Sequence, residues 1–530
     1  MSVIKGLRAT LCALAIWSLC VFPAVAKKSE VVPTQALAAT HGYVFASFPK
    51  GGADILRIAP AAGGKPIELT LRNGSWKPAS YGAWVPAGTY HVVKWGQYGW
   101  TDTSTFDVQP GRITDLGGLI SIGIGGYKIV FVPTHQPEYA NDVQSAIDEY
   151  AGLLASREPI VWAPTTPMKP ILTGPAPTGL GLVADMMQAY SRKLNRPSIA
   201  AQLEAAPTYA DFLRLARTIT PPLYDEPALT PDGTMYFTAD FGQLRRRAPN
   251  GEWTSVGQDT LAAISSVEYA DGALVTGSDL GVIRRSTDDG KTWTQLAELE
   301  RGENILDIDH DATQWLLLTA RFAPDATSLQ RHLLLSVYRA QSADLHDLAR
   351  VREIRVAIAD QVGWLGARGQ LVAGDYTITV PPDLLRLDTK TMAWKTISPA
   401  PGVHTHRVDP TTGTMTALHA QGVFSKLWVS QDRGETWKQI GRPPYHMADV
   451  QMDSATEGWA LRLNMDAFTS RWAIYTYDAA IDDWRISAEA PHLCKPVRAG
   501  PTLPVICIAP DASIFWRDGT NGWKVEFSAQ

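Results

Sequence analysis

The sequence predicts a mainly β protein in three parts: an N-terminal β-sandwich (residues 41–135), a short helical and Pro-rich connector (136–220) and a C-terminal β-propeller (221–530). Three observations carry this. Tryptophans recur at 253, 293, 394, 437, 484 and 523. One octapeptide pattern, S-x-D-x-G-x-T-W, occurs twice in full, with its aspartates 144 residues apart. From His41 to about Pro133 the chain alternates short β-like runs with Gly and Pro punctuation.

At 530 residues the chain exceeds what one ordinary core holds, so several domains are expected. Charged residues make up 19% and hydrophobic ones 45%, a soluble globular balance. The formal net charge is −5. No Lys/Arg run of the kind that neutralises phosphates is present, which argues against nucleic acid as a partner. The densest basic cluster is Arg245-Arg246-Arg247; side chains alternate along a strand, and the run reads as solvated surface.

Lys5 and Arg8 precede an apolar stretch from Ala9 to Phe22, followed by Pro23 and Ala24-Val25-Ala26. This is the pattern of a signal peptide cut after Ala26, and it predicts a periplasmic or secreted protein. An uncleaved anchor is the alternative, because Ala9 to Ala26 is 18 residues. No later stretch would span a membrane. Cys12 and Cys20 would leave with the leader, and Cys494 and Cys507 would remain in an oxidising compartment. A disulfide between them is expected, with two buried free thiols as the alternative.

In the N-terminal part, Val44–Phe48, Pro66–Leu71 and Tyr90–Val93 read as strands, with turns at Ala87-Gly88 and Pro110-Gly111. The phrases VPAGTYHVV and FDVQPGRITDLG resemble small bacterial β-sandwich modules, immunoglobulin-like or carboxypeptidase-regulatory-like, which implies a fold and no activity. Trp76, Trp84, Trp95 and Trp100 crowd this region with Tyr81 and Tyr98. Such a cluster suits a stacking surface for a sugar or protein, or equally core packing. In the connector, Tyr139–Leu154, Leu180–Leu194 and Tyr209–Ile219 have helical spacing, and Trp162–Thr178, with its five prolines, reads as an extended linker.

Beyond Pro221 the tryptophan steps are 40, 101, 43, 47 and 39. The step of 101 is two blades with one degenerate box, placed near Ser336–Asp347 after the strand-like run Leu333–Tyr338. Seven blades follow, with six and a long insertion as the alternative. Ser266–Tyr269, Leu306–Asp309, His406–Asp409 and Val450–Asp453 take equivalent places as inner strands.

The full matches are Ser286-Thr287-Asp288-Asp289-Gly290-Lys291-Thr292-Trp293 and Ser430-Gln431-Asp432-Arg433-Gly434-Glu435-Thr436-Trp437. They resemble the Asp box, or BNR repeat, of sialidase-like propellers. The resemblance implies a structural turn between the third and fourth strands of a blade, on the rim away from the ligand-binding face. There Asp288 and Asp432, with Ser286 and Ser430, accept turn N–H groups beside Thr292 and Thr436. Gly290 and Gly434 adopt an angle that side chains disfavour. Trp293 and Trp437 pack into the layer between strands or blades, so that Trp293→Ala would cost about 3–5 kcal/mol.

A sialidase would need three arginines, a Tyr–Glu pair and an acid; the closest string to the family's R-I-P signature is Arg321-Phe322-Ala323-Pro324, after the first box. His404 and His406 share one strand face as two metal ligands would, with no third ligand nearby. Asp307, Asp309 and Asp311 lack the Gly and distal Glu of a calcium loop and read as a solvated acidic strand end. No catalytic residue, cofactor or metal is expected. The function expected is an exported, monomeric, non-enzymatic scaffold binding a protein or glycan. A carbohydrate-active protein (glycosidase or lectin) and a structural cell-surface module are the alternatives.

Overall fold

The computed structural model describes residues 33–48, 56–73, 79–96, 98–100, 102–123, 129–134, 143–162, 171–175, 202–203, 205–206, 208–219, 222, 227–300, 303–324, 331–356, 369–380, 383–401, 403, 405–419, 426–441, 447–465, 470–491, 495–498, 505–508, 513–518 and 521–527. The leader, the expected helix Leu180–Leu194, Trp76, His404 and Cys494 lie outside these. Among the described residues no helix is long and apolar enough to cross a membrane.

Eleven strands make one N-terminal sheet: β1 (His41–Phe48), β2 (Leu56–Pro60), β3 (Ile67–Asn73), β4 (Ala79–Pro86), β5 (Gly88–Trp95), β6 (Tyr98–Trp100), β7 (Thr105–Val108), β8 (Ile113–Gly123), β9 (Ile129–Thr134), β10 (Ile160–Val161) and β11 (Ile171–Pro175). Their order is β1-β4-β3-β2-β5-β6-β11-β9-β8-β10, with β7 on β5. A parallel pairing of β1 with β8 joins the two ends. The opposed layers expected of a sandwich are thus the facing walls of one sheet folded round on itself.

Alternation along β1 explains its burial on both sides. Val44, Ala46 and Phe48 enter the interior, while Tyr43 and Phe45 face outward under a helix. Three helices are described: α1 (Gln35–Ala38), α2 (Val143–Glu149) and α3 (Tyr209–Ile219). α2 supplies that cover through Ala146 and Ile147.

The aromatic cluster is mostly core. Trp95 stacks on Phe48 at 5.5 Å, Trp100 stacks on Phe131 at 4.9 Å, and Trp84 meets Tyr43 and Tyr150 edge-on. The Pro-rich stretch corrects its sequence reading. Instead of a bare linker, its residues Ile171–Pro175 form β11, pairing with β6 on one side and β9 on the other. Without β11 both neighbours would present open edges.

The rest of the chain is a seven-bladed β-propeller of four-stranded antiparallel sheets, each taken consecutively from the sequence. The blades span 228–257, 264–298, 304–356, 369–396, 405–440, 447–489 and 495–527. The long tryptophan step is explained by blade 3. Its third strand, Arg331–Ala340, leads into a turn where Asp347 accepts the Gln341 and Ser342 N–H groups, with no closing tryptophan.

Inner strands have one unpaired edge, and blades 2 to 5 each lend the next blade an acceptor for it. Ser266 takes the Ile308 N–H (2.9 Å), Asp309 that of Leu371 (2.9 Å), Gln370 that of Val408 (2.7 Å) and Thr416 that of Met452 (2.8 Å). Closing tryptophans do the same at the outer edge. The indole N–H groups of Trp437, Trp484 and Trp523 donate to the carbonyls of Ile397, Gly441 and Glu489, each at the end of the preceding blade.

Among the described residues no strand is shared between the first and last blades, and side chains join them. Glu526 on the last strand accepts from Arg247 Nε (2.8 Å) and from the Trp253 indole (2.9 Å), and the Arg247 guanidinium lies 3.7 Å over Trp516. Met235 and Phe237 share a core here with Ile506, Ile508 and Ile514. The basic run is therefore not the solvated surface expected of it. Arg245 and Arg247 are both buried, and burial pulls Arg245 down to about 10. Arg245 donates to the Thr218 carbonyl in α3 at 2.7 Å.

Candidate functional site

Both octapeptides form the same turn, between the third and fourth strands of blades 2 and 5. Ser286 Oγ donates to Asp288 (2.8 Å) and accepts the Gly290 N–H (2.8 Å). Asp288 accepts the Thr292 N–H (2.9 Å) and hydroxyl (2.7 Å). In the second turn Ser430 and Thr436 surround Asp432 in the same way.

Gly290 and Gly434 have φ of +82° and +79°. They also touch the preceding blade: a Cβ there would lie 2.8 Å from Val256 and 2.7 Å from Ile397. Glycine is thus required by close approach as well as by backbone angle. Trp293 is half-buried against blade 1, with its indole bonded to the Gly290 carbonyl (3.0 Å). The cost expected for a fully buried ring therefore falls.

Hydrogen bonds set the acidity of these turns. The Thr292 N–H holds Asp288 at about 2, and the Thr436 hydroxyl and N–H hold Asp432 at about 2. A carboxylate whose folded value lies below its unfolded one stabilises above the unfolded value, near pH 4, and ceases to as pH falls toward 2. Asp288→Asn with Asp432→Asn should lower stability at pH 7 and flatten the loss of stability between pH 4 and 2. Acid titration followed by circular dichroism reads both; an acid limb as steep as the wild type's would contradict the assignment.

Antiparallel order places these turns at one end of the strands and the second-to-third-strand and blade-to-blade loops at the other. The second end carries the connector. Phe212 and Ala216 of α3 share a core with Ile120 and Val132 of the N-terminal sheet and with Phe241 and Leu261 of the propeller. Phe241 lies in the loop between the second and third strands of blade 1, and Leu261 between blades 1 and 2.

Chemistry that the boxes do not announce sits on the inner strands. Asp307 and Asp309 point the same way from the inner strand of blade 3 (Asn304–Asp311), with Glu268 of blade 2 beside them. The solvated strand end expected here is corrected: Asp307 is half-buried and accepts the Tyr376 hydroxyl of blade 4 at 3.0 Å. Burial, with Asp309 adjacent, pushes Asp307 well above the usual carboxylate range; burial does the same to Glu268. Asp311 alone behaves as a surface turn, accepting the Thr313 and Gln314 N–H groups.

The other candidates are held by neighbours. Arg321 lies 3.2 Å from Glu303 and 3.1 Å from Glu353. Glu303 is fully buried beside Tyr338 (3.3 Å). His406 is buried between the hydroxyls of Thr377 and Thr379. Among the described residues no group of three or more His, Cys, Asp or Glu is arranged to hold a metal. Cys507 is buried and disulfide-bonded, while Cys494 is outside the described residues.

Fold and geometry define a seven-bladed propeller carrying an N-terminal β module. No family model matches the sequence, and no curated protein does. Among solved structures, the fold is similar to YCF48 bound to D1 peptide (12% identity, 56% of this chain and 88% of that one, TM-score 0.40). It is similar to YCF48 from Cyanidioschyzon merolae (11%, 54% and 93%, TM-score 0.40) and to a chain of the nidogen/laminin complex (11%, 49% and 94%, TM-score 0.33). Likeness at this level concerns the fold alone.

Proposed function

We propose that this chain is an exported, non-enzymatic binding scaffold whose propeller, built on Asp-box repeats, receives a protein or glycan partner. The observation that carries the reading is where its charged groups are engaged. Arg247 and Arg433 join blade to blade, and Arg245 joins blade 1 to the connector. Asp288 and Asp432 hold turns, and Arg321 lies among Glu300, Glu303 and Glu353. Such use of charge suits a rigid platform that recognises through loop surfaces. The core shared by Phe212, Phe241 and Leu261 ties the N-terminal sheet to one end of blades 1 and 2, so a partner there would meet both modules in one orientation. A glycosidase reading would draw on Tyr338, Glu303 and Arg321, yet Glu303 has no exposed surface for a sugar to reach.

The mature chain, starting at Lys27 if the leader is cut after Ala26, is the reagent for the test. Crosslinking in the cell envelope should return a defined partner that purified protein binds saturably. A panel of aryl glycosides should remain intact, and turnover of any of them would overturn the non-enzymatic reading. A glycan array decides between the two partner classes.

A further inference from the structure

Among the described residues, the fourth strand of every blade has a neighbour on one side only. Such an edge is a template for another strand, and proteins protect it with charge or proline. Six of the seven outer strands carry that protection, in Glu298, Arg352, Lys395, Lys438, Arg485 and Lys524 of blades 2 to 7. The outer strand of blade 1, Trp253–Gly257, has neither a charge nor a proline.

Pairing with the third strand, Gln243–Arg247, fixes which backbone groups face outward. At one end of this ladder the Ala248 N–H donates to the Glu252 carbonyl (2.8 Å), and at the other the Gln258 N–H donates to the Gly242 carbonyl (2.8 Å). Hydrogen-bonded positions alternate with open ones along an antiparallel pair. Thr254 and Val256 are therefore bonded to the third strand, while Trp253, Ser255 and Gly257 turn their N–H and C=O groups to the free edge. Thr254 and Ser255 are exposed, so the middle of that edge meets solvent. Acids stand at both ends. Glu252 is exposed, and the Asp259 side chain is fully exposed while pairing with Arg217 at 3.0 Å.

We propose that the outer strand of blade 1 receives an extended segment of a partner protein as an added strand, one with an uncharged, β-branched centre and Lys or Arg at its ends. The outward groups of Trp253, Ser255 and Gly257 supply affinity through main-chain hydrogen bonds. Thr254 and Val256 favour β-branched neighbours on the added strand. Glu252 and Asp259 select its ends by charge. The same acids disfavour a second copy of this strand, because antiparallel pairing about Ser255 would bring Glu252 of each copy beside Asp259 of the other. This goes beyond the scaffold reading, which places recognition on loop surfaces and would survive a blocked edge.

Titration calorimetry of the full chain with the end-capped peptide KTVTVTK tests the idea, and saturable binding at a single site is expected. The same peptide with glutamate for both lysines should bind about tenfold more weakly. Ser255→Pro removes one outward N–H and leaves the ladder to the third strand intact, since edge positions tolerate proline. It should weaken binding by about tenfold or more. A form of the peptide with alternate amides N-methylated should lose affinity to the same degree, and it puts the question to unaltered protein if the proline variant does not fold. Absence of binding, unchanged affinity with either the proline variant or the methylated peptide, or equal binding of the lysine and glutamate forms would each overturn the proposal. So would a wild-type dimer in sedimentation that Ser255→Pro dissolves, because the edge would then belong to a second copy.

Discussion

Glu526→Ala is expected to cost about 3–5 kcal/mol, the range for removing one partner of a buried ion pair. The Arg247 side chain it serves is 7% exposed, so the guanidinium cannot recover the loss by turning to water. The same carboxylate also holds the Trp253 indole, so one truncation strands two donors of blade 1. Urea midpoints of the purified chain read the effect. Glu526→Gln, which keeps an acceptor but no charge, should fall between the wild type and alanine. An alanine variant within about 0.5 kcal/mol of wild type, the scatter of ordinary surface substitutions, would contradict the role given to this carboxylate.

Trp484→Ala should be as damaging, at about 3–5 kcal/mol. Its ring is 5% exposed, lies in the core shared by blades 5 and 6, and packs 5.2 Å from Tyr477. Truncation opens a cavity and also leaves the Gly441 carbonyl without its indole donor. Trp293, half-buried and bonded within its own turn, should cost about 2 kcal/mol or less on the same change. The ranking, with residue 484 above residue 293, is what urea midpoints of the two variants check. It runs against the sequence, because Trp293 closes the full motif and Trp484 a degenerate one. Burial, not motif quality, sets the cost.

Blade count and blade order were legible because a propeller repeats one local plan. Trp253, Trp394, Trp484 and Trp523 mark their fourth strands even where the box around them has decayed. Blade 3 was legible through Leu333–Tyr338, which falls inside its third strand. Helix α3 was legible in full, since its apolar period is local. What escaped the sequence depends on partners far along the chain. Arg247 reads as a surface charge until Glu526, 279 residues away, is placed beside it. β11 reads as linker because its partners, β6 and β9, are chosen by the closure of a sheet. Asp307 reads as solvated because Tyr376, which bonds to it, lies 69 residues on. A signal was present even so. Asp307 and Asp309 sit inside the inner strand of blade 3 and not at its end, and a carboxylate in mid-strand usually has a specific partner.

The closed ring is the central claim of the fold, and a double-mutant cycle between residues 247 and 526 tests it most directly. With Arg247→Ala, Glu526→Ala and the pair measured together, a ring closed between its first and last blades should show coupling of about 1.5 kcal/mol or more. Single costs that simply add, with no coupling, would mean that blades 1 and 7 do not meet.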